Sequence, residues 1–242
     1  MKNEFYKGLK ELRLHYLADH YQDFIALRQE TPAEKIIQDL IRLELIEKSQ
    51  RTLSRRLSEA RIGRYKMMSE FDWNWPKALD RVKLKEILET DFITTQKNLI
   101  LLGPKGLGKT MIAKNLVLSA VHAGHQARFV TASSLVAELL ASGHRLETRL
   151  RYYTRLDLLV IDELGYLSFQ TKAADLLFEV ISRRYEKAPI ILTTNLPFKE
   201  WPTIFPGAAC VAALIDRLIH HCETLVIEGD SYRCLESMKK KR

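Results

Sequence analysis

Cysteine is scarce. Cys210, Cys222 and Cys234 are odd in number and none lies in a CxxC pair, which excludes a secreted disulfide framework and a zinc ribbon. Their regular spacing beside His220 and His221 matches no metal-site pattern. No apolar run approaches the ~20 residues of a membrane-spanning helix. The opening MKNEFYKGLKEL is charged and helical where a signal peptide is apolar, so a cytoplasmic protein with no membrane partner is expected. Glycine and proline, at 10 and 7 residues, are too few for a low-complexity or collagen-like chain.

What is abundant is positive charge and apolar surface. Lys+Arg minus Asp+Glu is 38 − 30 = +8, and 46% of the residues are hydrophobic. A basic globular chain suits a polyanionic partner. Its 242 residues exceed one domain of ~150 residues and leave room for an extension.

The pattern changes character near residue 97. Before it, helices prevail. Phe5, Leu9, Leu12 and Tyr16 fall on one face of a first amphipathic helix. Thr31-Pro32-Ala33-Glu34 is a helix start, with a capping hydroxyl, a proline at the first turn and a glutamate able to reach back. The helix it opens should run to about Arg61, burying Ile36, Ile37, Leu40, Leu43 and Leu57, and end at Gly63. Residues 48–66 hold seven cations (Lys48, Arg51, Arg55, Arg56, Arg61, Arg64 and Lys66) against one acid, Glu59. They form either a solvated helix face or a stripe that meets DNA phosphates. Phe71, Trp73 and Trp75 follow in FDWNWP; they read as a hook that packs a connector onto the next domain, or as bases' stacking partners. The organisation expected is a helical basic N-terminal domain (1–66), a connector (67–97) and a larger C-terminal domain (98–242).

From residue 98 strands and helices alternate. Strands are expected at Asn98–Leu102, Ala127–Thr131, Leu156–Asp162, Pro189–Thr194 and 223–228, and helices at 109–122, 133–141, 145–154, 171–187 and 208–221. Five apolar strands interleaved with helices mean an α/β fold with a parallel sheet.

The chemistry begins at Gly103-Pro104-Lys105-Gly106-Leu107-Gly108-Lys109-Thr110, followed by Met111. This is a complete GxxxxGK[ST] loop between a strand and a helix, the context the motif requires. Backbone N–H groups and the helix dipole cradle phosphates, Lys109 reaches the β- and γ-phosphates of ATP, and the Thr110 hydroxyl binds Mg²⁺. Downstream, Leu158-Leu159-Val160-Ile161 ends in Asp162-Glu163, at the sheet edge where open α/β folds bind ligands. Asp162 is placed to complete the Mg²⁺ shell and Glu163 to polarise the attacking water. Thr193-Thr194-Asn195 reaches the same edge, where the Asn195 amide could orient that water.

GPKGLGKT, LLVIDELGYL, FEVISRRYE, ILTTNLPFKEW and LIDRLIHH, in this order and spacing, resemble the IstB-type ATPases. Those are transposition helpers of insertion sequences, related to the DnaC-type helicase loaders of the AAA+ superfamily, and the resemblance spans nearly the whole chain. It implies an AAA+ P-loop fold behind a small all-helical domain. It makes Gly103–Thr110 the Walker A loop, Asp162-Glu163 the Walker B pair, Asn195 the sensor-1 residue and Arg217 the arginine finger, with Glu163, Asn195 and Arg217 catalytic. It also implies DNA binding without strong sequence preference, a homo-oligomer formed with ATP and DNA, and a transposase from the same element as partner. Lys105 and Leu107 depart from the commoner Pro and Thr at variable loop positions. Only 25 residues follow Arg217, too few for a full helical lid, and Arg233 is the candidate for the missing lid arginine. A helicase loader of the DnaC type is the alternative reading. Arg217 should stand opposite a buried face formed by Leu214, Ile215, Leu218 and Ile219.

Overall fold

The computed structural model describes residues 2–28, 31–165, 171–205 and 209–232. They form two compact units, Met1–Arg55 and Arg56–Arg242. The first holds α1 (Lys2–Glu11), α2 (His15–Ala26) and most of α3 (Ala33–Ala60). A single helix through Tyr16 does not form. Arg13 takes a left-handed φ of 58°, Arg13 N–H donates to the Lys10 carbonyl and Leu14 N–H to that of Leu9, a Schellman ending. Leu12 is thereby thrown out to 72% exposure, while Leu9 packs with Leu17, Ala18 and Phe24. Ile36, Leu40 and Leu43 of α3 lean on this cluster, but Ile37 is exposed: a core of four buried residues covers only a narrow stripe of α3.

In the second unit α3 ends at Ala60, with Arg61 left-handed. A connector carries α4 (Arg81–Glu89) and α5 (Phe92–Thr95), each started by an aspartate, Asp80 and Asp91, that accepts backbone N–H groups of the first turn. Then come β1 (Asn98–Leu102), α6 (Lys109–His122), β2 (Ala127–Thr131), α7 (Ala132–Ala141), α8 (Leu146–Arg155), β3 (Leu158–Leu164), α9 (Thr171–Arg184), β4 (Ile190–Thr194), α10 (Trp201–Ile204), α11 (Val211–Ile219) and β5 (Cys222–Val226). The strands pair in parallel in the order β2-β3-β4-β1-β5. Their central residues are buried on both faces, which is why they read as continuous apolar runs.

Two boundaries differ instructively from the sequence pattern. β3 runs past Asp162, because Glu163 bulges and Leu164 resumes pairing with Thr194. α9 stops at Arg184 instead of residue 187; Arg184 is 1% exposed and donates to the carbonyls of Tyr153, Leu156 and Pro189. That guanidinium ties α9 to the end of α8 and to the start of β4, and burial pushes its pKa down to about 9.

Candidate functional site

Strand β1 delivers the chain into the glycine loop, and the loop opens α6. Gly103 N–H donates to the Thr194 carbonyl at 3.1 Å, fixing the loop to β4. Gly106 and Gly108 take φ of 81° and 88°, values side chains resist. A Cβ on Gly108 would also stand 2.8 Å from the Phe71 ring, and one on Gly106 would strike Ser231. Lys109 is 7% exposed, and its ammonium donates at 2.6 Å to the carbonyls of Gly103 and Pro104.

Strand β3 brings the acidic pair to this loop. The Thr110 hydroxyl lies 3.1 Å from both carboxylate oxygens of Asp162, which is 2% exposed. A hydroxyl against a carboxylate is the hard-oxygen donor set that suits Mg²⁺. Glu163 is exposed and sits at a left-handed φ of 63°, a conformation that costs a side-chain-bearing residue about 1–2 kcal/mol. Its N–H donates to the Thr193 hydroxyl at 3.0 Å, and that hydroxyl donates to Asp162.

These residues surround a cavity of about 350 Å³. Lys105 to Met111, Glu163 and Thr193 line it, joined by Lys66, by Glu70, Phe71, Asp72 and Trp75 from the connector, and by Tyr232. The aromatic hook thus does more than pack. Phe71 lies over Gly108, the Trp75 indole N–H donates to the Asp230 carbonyl at 2.9 Å, and Tyr232 N–H donates to Gly106. That 229–232 crosses the loop is not legible in Gly-Asp-Ser-Tyr, which reads as an ordinary surface turn.

The other expected residues stand apart from the cavity. Asn195 does not line it; its buried Oδ1 abuts Gly165 and has no hydrogen-bond partner among the described residues. Arg217 is not on a solvated face: it is half-buried, lies 4.8 Å above the Phe178 ring and donates to the Ser182 hydroxyl of α9. Leu214 and Leu218 are buried as expected, but Ile219 is 43% exposed, so the buried face of α11 is turned towards Arg217. The cations of 48–66 do not act alike. Arg51 pairs with Glu47 at 3.1 Å, Arg56 is half-buried with an unpartnered Nε among the described residues, and Lys66 borders the cavity. Lys48, Arg55, Arg61 and Arg64 are exposed. Arg233 lies outside the described residues.

Residues 7–240 match the family described as IstB-like ATP binding protein. The chain belongs to it. The ATP-binding protein named for insertion sequence IS21 in Pseudomonas aeruginosa is 35% identical over 96% of this chain and 89% of its own length. That named for IS5376 in Geobacillus stearothermophilus is 36% identical over 81% and 79%. Among solved structures, DnaI aligns with a TM-score of 0.57 at 20% identity, covering 69% of this chain and 92% of its own. AMPPCP-bound DnaA from Aquifex aeolicus aligns at 0.56 and 18%, covering 72% and 54%. The IstB-like chain thus has the AAA+ P-loop fold, and no helix among its described residues is long and apolar enough to cross a membrane.

Proposed function

We propose that this IstB-like chain is a DNA-dependent ATPase that assembles on DNA with ATP and regulates or recruits the transposase of its own insertion sequence. The observation that carries the reading is the contact of buried Asp162 with Thr110, which lines the glycine-loop cavity together with Glu163, in a chain whose relatives are named for insertion sequences and ATP binding. Residues Gly103 to Met111 hold the triphosphate through backbone N–H groups and the Lys109 charge. Thr110 and Asp162 hold Mg²⁺, which when bound neutralises charge developing on the phosphates. Glu163 takes a proton from the water that attacks the γ-phosphate; for Asn195 to orient that water its amide must turn from Gly165 towards the cavity. Arg217, released from Ser182, serves the site of a neighbouring subunit as its arginine finger.

Lys48, Arg51 and Arg55 in the first unit, with Arg56, Arg61, Arg64 and Lys66 in the second, supply the attraction to DNA phosphates. A helicase loader of the DnaC type would share the fold, but the names of the relatives favour transposition. The test is steady-state ATP turnover with and without duplex DNA. Turnover that duplex DNA raises several-fold is expected, and turnover blind to DNA would sink the DNA-dependent reading.

A further inference from the structure

We propose that Thr193 is the positioning residue of the hydrolytic step, its single hydroxyl setting both acidic side chains of the β3 edge. The inference rests on Glu163 being the base that activates water. The register of the sheet carries it. Ile161 pairs with Leu192, and the next pair is Leu164 with Thr194, so Asp162 and Glu163 together face one residue, Thr193. Two residues against one is a bulge, rare between parallel strands, and it leaves the extra residue outside the ladder. The Glu163 N–H, denied a strand carbonyl, donates instead to the Thr193 hydroxyl at 3.0 Å. The same hydroxyl gives its one proton to Asp162 Oδ1.

Thr193 is 1% exposed, so both of its bonds are made to protein groups. Its one proton and one of its two lone pairs are thus engaged, in opposite directions. One bond holds Glu163 at its left-handed φ of 63°. The other fixes the rotation of the carboxylate that meets Thr110 at 3.1 Å. Removal of the hydroxyl would free both at once: the bulge could relax, swinging Glu163 out of line, and the Asp162 carboxylate could turn. Thr193 touches no reacting atom; it acts through its two neighbours.

Thr193→Val keeps the shape and removes the hydroxyl, whereas Thr193→Ser keeps the hydroxyl. In the full chain, with Mg²⁺ and ATP, Thr193→Val should lower kcat about 10–100-fold, the scale of a misplaced catalytic group. The Kd for a fluorescent ATP analogue should stay within about threefold, because the glycine loop is untouched. Thr193→Ser should restore kcat. Should the valine variant not fold, Thr193→Cys, with its weak S–H donor, carries the same expectation. A normal kcat in Thr193→Val, or a serine variant as slow as the valine, overturns the positioning role and leaves the ATPase reading standing. A wild-type chain no faster than Glu163→Gln overturns both.

Discussion

Glu163 stands where a side chain is least comfortable, in the left-handed region, with its N–H anchored to a buried threonine. The sequence pattern showed an acidic pair at a strand end; it did not show that the pair straddles a bulge, because one inserted residue leaves the apolar run before it unchanged. At this scale the expected outcomes are separable. Glu163→Gln should bind ATP normally and hydrolyse it more slowly by about 10²–10⁴-fold, as loss of a general base does. Lys109→Ala removes the cation nearest the loop carbonyls and should lose most ATP binding. Equilibrium titration with a fluorescent ATP analogue, beside a phosphate-release assay, distinguishes the two. A Lys109→Ala protein of near-normal affinity would refute the loop's assignment.

Elements were legible to the extent that their burial was regular. β1, β2 and α6 fall where the pattern puts them, since each is bounded by glycine or a polar turn. The first helix ends short of its apolar stripe because a heptad-like pattern does not reveal a left-handed arginine; the Schellman ending goes with a packed Leu9, a tertiary fact. The pair of arginines closing α9 is likewise opaque in sequence. Arg183 forks onto Glu147 at 2.9 and 3.0 Å and reaches Glu179, holding the Glu147 carboxyl down to about 2. Arg184 turns inward onto main-chain carbonyls. Arg184→Leu would strand three buried acceptors and should cost about 3–5 kcal/mol, measurable by urea denaturation. A loss below 1 kcal/mol would mean those carbonyls find other donors.

For the whole molecule, the question is whether activity belongs to one chain or to several. Arg217 rests against α9 of its own chain, so a finger acting in trans must exchange Ser182 for a neighbour's phosphate. Lys109→Ala and Arg217→Ala should each be dead alone, and equimolar mixtures should regain part of the ATP turnover, since each supplies what the other lacks. Silence in mixtures that sediment as one assembly would place the finger in cis or elsewhere. Neutralising Arg51, Arg55 and Arg56 together should weaken binding to duplex DNA and reduce its salt slope by up to about three; fluorescence anisotropy across a salt series reads this, and an unchanged slope returns the stretch to solvent.

The wall of the cavity built by Trp75 and Tyr232, with the Asp230 carbonyl bracing Trp75 from behind, enlarges the target that chance mutation presents. A stop codon after residue 228 would spare all five strands and every residue of the glycine loop. It would nonetheless delete the backbone carbonyl that receives the Trp75 indole and the N–H that meets Gly106. Residues 229–232 are therefore tied to the same cavity as the glycine loop, which lies about 120 residues before them.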